Sequence, residues 1–438
     1  MNNIQSIPDA YLCSNCGACS AVCPKGAISF ESTSIGRMYA KVDSKCIDCG
    51  LCVKVCPSVE PPAMDNVSDR YVGNVISVNV GRSTDDAIYH NAQSGGACTA
   101  ILTYLFDTGA IDCAIVCRMS FGNPPVVESV LITDKDDLNS CQKSCYTPVE
   151  ILSKLRSAKR YKSVAVVGLP CHIQGLTKIL QNTKLFKNVN YKLGLVCDRT
   201  LCGSIQNVML SYVPDGEYKI DWRHKDFTYE GFYHPYKDAP VTVYKKTTGG
   251  GKVFSNVYRF ALKDMFTSPR CRVCFDKVCI FADIVLGDPW RMPDVDWNHG
   301  DSLIVVRTER GENIIQTMAQ KGLLTLSRRD VSELINGQLI AERRCSVAAY
   351  TRALESLPVH AQSYLYTQPA EMPVSDSAVA KAASELQPFL ANEPKPLDEI
   401  IQIARRKIAE REKYLRRQHN MAFRAIRKVK NIIKRVIR

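Results

Sequence analysis

Cys13-Ser-Asn-Cys16-Gly-Ala-Cys19-Ser-Ala-Val-Cys23-Pro24 and Cys46-Ile-Asp-Cys49-Gly-Leu-Cys52-Val-Lys-Val-Cys56-Pro57 are two copies of one pattern. In C-x-x-C-x-x-C three thiolates wrap one four-iron cube. The fourth cysteine, just before a proline, lies too far along the chain for that cube and serves its neighbour. The spacing therefore assigns one 4Fe-4S cluster to Cys13, Cys16, Cys19 and Cys56, and a second to Cys46, Cys49, Cys52 and Cys23. Gly17 and Gly50 follow the second cysteine of each copy, where a side chain would intrude on backbone passing close to the cluster. A pair of structural zinc sites is the plain alternative. Zinc takes four ligands, commonly as two C-x-x-C pairs, and needs neither the third cysteine nor the Cys-Pro.

Outward from this module, the chain has 438 residues and 20 cysteines, eight of them within the first 56 positions. The first ten residues show no basic segment leading into an apolar one, and no apolar run reaches the roughly 18 residues that cross a bilayer. The expected location is the cytoplasm, where thiols stay reduced and clustered cysteines read as metal ligands or redox groups. The net charge of +13 belongs to one element. Residues 401–438 hold 14 Lys and Arg against two Glu, so the remainder of the chain is close to neutral.

Residues 1–60 form the cysteine-rich module, and the Pro-containing stretch 61–75 reads as a linker. Between 76 and 356, short apolar runs such as Val164–Gly168 and Tyr191–Val196 suggest buried strands, and Ala97–Phe106 and Pro148–Leu155 suggest helices. Gly249-Gly250-Gly251 marks a loop tip or hairpin turn. Residues 357–396, rich in Pro, Ala and Ser, read as a loose connector, and a helical pattern fills 397–438. The fold class expected is α+β: a two-cluster domain, a mixed α/β core, and a C-terminal basic amphipathic helix.

Four further cysteines stand in distinctive settings. Cys171 follows a strand, Cys197 ends the next, and Cys271 and Cys274 form a C-x-x-C. Two strand ends and one loop pair suit a single metal site, but buried cysteines are also ordinary core residues. The stretches Gln93-Ser-Gly-Gly-Ala-Cys-Thr-Ala100, Gly168-Leu-Pro-Cys-His-Ile-Gln-Gly-Leu176, Leu195-Val-Cys-Asp198, Cys271-Arg-Val-Cys-Phe-Asp276 and Ala282-Asp-Ile-Val-Leu-Gly-Asp-Pro-Trp290 occur in that order. Over about residues 75–310 the chain thereby resembles the family of coenzyme F-420 hydrogenase and dehydrogenase beta subunits, preceded by a bacterial-type two-cluster ferredoxin domain.

The resemblance implies FAD and a third 4Fe-4S cluster in the core, with Cys171, Cys197, Cys271 and Cys274 as ligands and Cys202 and Cys279 as second-ranked substitutes. It implies a flavin or substrate phosphate at Ser94, Gly95, Gly96 and Thr99, where a glycine turn opens a helix. The alternative there is a plain helix cap by Ser94 or Thr99. Asp288 and Trp290 fall in a loop that the resemblance puts beside the flavin, and otherwise read as a turn and a core tryptophan. Family members often place a lysine directly before the tyrosine of this chain's Tyr146. Here Cys145 stands there and Lys143 lies two residues earlier, so any contact of that lysine with flavin is altered. His172 stands where glutamine is common, and is a candidate proton donor. Use of a deazaflavin does not follow from the resemblance. Trp222-Arg-His-Lys225 offers basic groups to an anionic substrate, or simply a solvated basic turn.

In the tail, Ile426, Val429, Ile432, Ile433, Val436 and Ile437 recur at helical spacing between Lys and Arg. Such a helix suits an anionic membrane surface on the inner face of the cell membrane, its own protein, or a second subunit. No aromatic interleaving supports nucleic-acid binding. The functional expectation is an FAD- and iron–sulfur-dependent oxidoreductase with a redox partner such as a ferredoxin or a second subunit, alone or as an oligomer. The alternatives are a non-catalytic electron-transfer subunit and an RNA-acting redox enzyme that uses the tail.

Overall fold

The computed structural model describes residues 2–9, 11–64, 67, 69–225, 240–296, 299–355 and 373–436, with side chains described as far as 418. The N-terminal module holds a short helix α1 (Ala18–Val22), strands β1 (Ile28–Ser32) and β2 (Met38–Val42), and a second short helix α2 (Leu51–Lys54). β1 and β2 pair antiparallel with Ile28 opposite Val42. Gly17 and Gly50 cap α1 and α2 at φ +85° and +74°. A Cβ on Gly17 would lie 2.6 Å from the Ser153 backbone nitrogen. The left-handed turn and the approach of the core therefore both demand that glycine.

Eight strands make the central sheet: β3 (Ser77–Ser83), β4 (Cys113–Ser120), β5 (Val126–Ile132), β6 (Val164–Gly168), β7 (Val189–Leu195), β11 (Ile284–Gly287), β12 (Ser302–Val306) and β13 (Leu324–Arg329). Their order is β13-β3-β12-β11-β7-β6-β4-β5. β11, β7, β6 and β4 run parallel, and the flanking strands pair antiparallel. Every residue of β6 and β12 is buried, which is why β6 reads as an unbroken apolar run. On one face lie α3 (Ala97–Asp107), through Ile101 and Leu105, and a helix over Glu309–Gln320, through Ile315 and Met318. Helix α4 (Pro170–Asn182) covers the other face with Leu176 and Ile179 against Ile115 and Val166.

A second layer is the antiparallel sheet of β8 (Tyr218–Asp221), β9 (Val241–Lys245) and β10 (Gly251–Phe254), in the order β10-β9-β8. The glycine run lies at the β9–β10 hairpin, as expected. Residues 357–396 do not form a loose connector throughout: Asp376–Leu390 is a helix capped by Ser375, and it buries Ala382, Leu386 and Phe389. Ser375 and the apolar period of this segment overrode its Pro and Ser content. Residues 357–372 lie outside the described residues. The C-terminal helix spans Leu397–Val436. It buries Ile400, Ala404 and Ile408 in the same apolar cluster as Trp222, Phe266 and Phe389. Its first turns are thus docked on its own protein, and the side chains from Ile426 to Ile437 lie outside those described.

The N-terminal module is bound to the core at many points. Leu152 N donates to Cys16 O at 3.0 Å, and Gly203 N to Gly36 O at 2.8 Å. Arg156 Nε donates to Ala21 O, and Arg270 Nε to Ser58 Oγ, both at 3.0 Å. Arg37 pairs with Glu393 at 2.7 Å. The stretch read as a linker is also held: Arg307 donates to Val72 O and Asn74 O, and Arg344 pairs with Asp69.

Candidate metal centres and cofactor site

The carboxyl ends of the parallel strands carry the chemistry. Cys171 comes three residues after β6 and Cys197 two after β7, and Asp288 directly follows β11. In parallel sheets, ligands bind at this edge.

The thiols of the N-terminal module fall into two groups. Cys23, Cys46, Cys49 and Cys52 line one cavity of about 350 Å³. Burial pushes the Cys16 thiol up to about 12, with Cys56 and then Cys13 adding charge repulsion. Cys19 is raised by burial and by Cys16, Cys13 and Cys56 in turn. Cys56 therefore stands with the first copy and Cys23 with the second. The Ala27 amide points at Cys23 Sγ at 3.3 Å and the Asp48 amide at Cys46 Sγ at 3.4 Å, the kind of contact that steadies a cluster sulfur.

Cys171, Cys197, Cys271 and Cys274 line a single cavity with an empty volume of about 680 Å³, part of it open to solvent. The Cys171 thiol is raised by burial and then by Cys197, Cys16 and Cys274, so this set adjoins the first N-terminal set. Cys13 lines the same cavity. Cys202 also reaches this wall, whereas Cys279 does not. Arg343 clamps the C-x-x-C loop, with Nε to Cys274 O at 2.9 Å and Nη2 to Cys271 O at 3.1 Å. Thr200 Oγ1 lies 3.5 Å from Cys271 Sγ. Ser268 Oγ, buried in the lining, has no partner among the described residues. Burial works to raise the Asp198 carboxyl, but Arg199, Arg343 and Lys277 hold it at about 2. Among the described residues no three His, Cys, Asp or Glu side chains are close enough for a single metal ion. Four splayed thiols around a cavity with an orphaned hydroxyl fit a cluster.

His172 is 3% exposed. Its Nδ1 accepts from the Leu169 amide at 3.1 Å at the start of α4. Burial drives its imidazole down to about 4, against a hydrogen bond with the Val149 backbone. The contact with the Leu169 amide orients the Cys171 turn, and His172 also lines the cavity of the core cysteines.

A second constellation surrounds the start of α3. Gly96 caps the helix at φ +76°, and no side chain caps it among the described residues. Ser94 Oγ instead faces Ser302 Oγ at 3.4 Å. A Cβ on Gly95 would lie 2.6 Å from Gly81 O and from Ser302 N, so packing on the sheet alone requires that glycine. Thr99 is buried within α3. Lys143 donates to Asp221 Oδ2 at 2.9 Å. Gln93 Nε2 donates to Asp221 Oδ1 at 3.0 Å, and its Oε1 accepts from the Ser144 amide. Arg223 pairs with Asp288. Gln338 Nε2 holds the Asp288 carbonyl at 2.9 Å, and Trp290 lies half-buried beyond it. Lys225 Nζ donates to Tyr89 O and Ser94 O, both at 3.0 Å, and burial lowers its ammonium to about 7.

Ser94, Lys143 and Asp288 therefore converge through Gln93, Arg223 and Asp221, of which only Asp221 had no place in the sequence reading. Trp222-Arg-His-Lys225 is not a solvated turn. Trp222 is fully buried and Arg223 is 8% exposed. The usable signal was the position of Asp221 at the end of β8, directly before a tryptophan. An uncapped helix start flanked by Arg223 and Lys225 fits a phosphate-bearing cofactor. No helix among the described residues is long and apolar enough to cross a membrane.

Three family models match this chain. Two describe the beta subunit of coenzyme F420 hydrogenase/dehydrogenase, its N-terminal part over 78–156 and its C-terminal part over 161–331. The third, "4Fe-4S dicluster domain", matches 12–59. One of the subunits of the F(420)H(2) dehydrogenase of Methanosarcina mazei is 28% identical over 351 residues, 76% of this chain and 89% of that one. The coenzyme F420-dependent sulfite reductase of Methanocaldococcus jannaschii is 28% identical over 71% of this chain, which spans only 46% of that protein. In the solved F420-reducing NiFe hydrogenase complex from Methanosarcina barkeri, one chain shares the fold at a TM-score of 0.50 and 21% identity. That likeness covers 66% of this chain and 97% of the other.

Proposed function

The chain belongs to the family of coenzyme F420 hydrogenase/dehydrogenase beta subunits, with a 4Fe-4S dicluster domain at its N-terminus, and from that premise we propose an iron–sulfur flavoprotein oxidoreductase. Cys171, Cys197, Cys271 and Cys274 would hold a third 4Fe-4S cluster. The constellation of Ser94, Gly95, Gly96, Thr99, Lys143, Arg223, Lys225, Asp288 and Trp290 would hold FAD. The observation that carries the reading is the single cavity lined by all four core cysteines and by Cys13 of the N-terminal module. Bound there, the clusters supply one-electron transfer and the flavin links it to two-electron chemistry.

The chain's own residues hold, orient and shield. Arg343 fixes the C-x-x-C loop, and His172 fixes the turn that presents Cys171. Asp221 aims Lys143, and Arg223 aims Asp288. A protein partner is part of the proposal, because relatives are named as subunits of F420-linked dehydrogenases and hydrogenases. The substrate is not fixed by the family. Lipid attachment gains no support from the first turns of the C-terminal helix, whose Ile400, Ala404 and Ile408 are buried.

Iron, sulfide and flavin content of anaerobically purified protein tests the reading, with Cys171→Ala alongside. About twelve irons and one FAD are expected, falling to about eight irons in the variant. Eight irons in both proteins, without flavin, would refute it.

A further inference from the structure

Three cysteines outside the proposed cluster sets stand together near the same edge of the sheet. Cys117 lies on β4, beyond the last residue that pairs with β6. Cys145 lies on the segment that follows the 3₁₀ helix Lys135–Cys141, and Cys141 closes that helix. The Cys117 thiol donates to Cys145 Sγ at 3.6 Å. Cys141 is near enough to repel the charged form of Cys117, and Cys145 that of Cys141. All three are half-buried. None belongs to a group able to hold a single metal ion. What remains for two thiols at this separation is a bond between them. The sulfurs need to close by about 1.5 Å to reach the length of a disulfide bond.

We propose that Cys117 and Cys145 form a reversible two-electron thiol–disulfide site whose co-substrate is a disulfide. Cys145, which accepts the Cys117 hydrogen bond, is the attacking sulfur. Its thiolate attacks one sulfur of the co-substrate, a Cys145–sulfur bond forms, and the first co-substrate thiolate leaves. The Cys117 sulfur then attacks Cys145 Sγ, breaks that mixed disulfide and expels the second thiolate. Two protein thiols are oxidised, one disulfide is reduced to two thiols, and the two protons pass to the departing sulfurs. The reverse sequence restores the dithiol. The Cys117 thiol is pushed well above its usual range by its hydrogen bond to Cys145 and by burial, so it keeps its proton while Cys145 attacks.

The site touches the proposed cofactor constellation without depending on it. Lys143 and Ser144, which reach Asp221 and Gln93, immediately precede Cys145, and Tyr146 packs edge-on to Trp222. A bond from Cys145 to β4 therefore fixes the segment that carries Lys143.

The test uses the full-length, cluster-loaded protein under anaerobic conditions. It is equilibrated in glutathione buffers of varied ratio, alkylated and mapped by mass spectrometry. A Cys117–Cys145 cross-linked peptide is expected to appear as oxidised glutathione rises and to vanish on return to the reduced form. In Cys145→Ser it is absent while iron content is unchanged. A parallel arm with oxidised thioredoxin separates a protein disulfide from a small-molecule one as the preferred co-substrate. Exposed Cys345 reports that the reagent acts. Full alkylation of Cys117 and Cys145 at every ratio, while Cys345 is glutathionylated, overturns the proposal. So does a cross-link from Cys145 to Cys141 in place of Cys117.

Discussion

Asp221→Asn removes one charge from the hub of the cofactor constellation and almost no volume. Asp221 is 4% exposed and accepts from Lys143 at 2.9 Å, from Gln93 at 3.0 Å and from the Arg223 amide at 3.2 Å, with His224 at 3.6 Å. Burial works to raise its carboxyl, but His224, Lys143 and Gln93 together hold it well below the usual carboxylate range. Removing one partner of a buried pair costs about 3–5 kcal/mol. The Lys143 side chain is 35% exposed, and water replaces part of what it loses. The amide also keeps one acceptor for Gln93. The expected loss is therefore about 2–3 kcal/mol, seen as a fall of about 2–3 °C in the apparent melting temperature of this 438-residue chain at neutral pH. Lys143 would also lose its aim, and FAD retained through purification should drop severalfold while iron stays at its wild-type value. Anaerobic calorimetry, with flavin and iron assays on the same samples, reads all three. A melting shift below about 1 °C with flavin content unchanged would refute the hub assignment.

The crossed ligand pattern predicts that Cys56→Ser and Cys13→Ser perturb one and the same reduced-cluster EPR spectrum, and that Cys23→Ser perturbs the other. If Cys56→Ser instead matched Cys52→Ser, the crossing would be wrong. For Lys225, burial holds the ammonium at about 7, so it is a cation below that pH and neutral above it. Between there and its ordinary value of about 10.4 the unfolded chain carries the extra proton, so this residue favours folding more as pH rises. Anion binding runs the other way: inorganic pyrophosphate should bind more weakly as pH climbs through 7, by up to about tenfold per pH unit. An equal slope in Lys225→Met, measured by isothermal titration, would remove Lys225 from the site.

The two N-terminal cluster sets were legible because their ligands are local: eleven residues hold each copy, and the swap of the fourth cysteine is a matter of reach. The core cysteines were individually legible at strand ends and in a C-x-x-C. Their convergence was not, because it depends on β11, β7 and β6 lying side by side although 88 residues separate the end of β7 from the start of β11. Asp221 carries no periodic or motif signal, Arg223 showed only as part of a basic stretch, and their partners Lys143, Gln93 and Asp288 lie 65 or more residues away. Helix Asp376–Leu390 was hidden by the Pro and Ser content of 357–396, Pro388 within it included, and was set by its Ser375 cap and its buried Ala382, Leu386 and Phe389.

The seam between the N-terminal module and the core bears on how the proposed relay would be driven. Many small redox modules hang on a tether and must swing to each partner in turn, so solvent viscosity and linker length set their rate. Here Cys16 O is bonded to Leu152, Gly36 to Gly203 and Ser58 to Arg270, and Arg37 is paired with Glu393. Thickening the solvent or lengthening 61–75 has no swinging arm to slow. The only diffusive encounter left is the one at the outer face, where half-exposed Cys46 and exposed Cys49 stand toward whatever docks there.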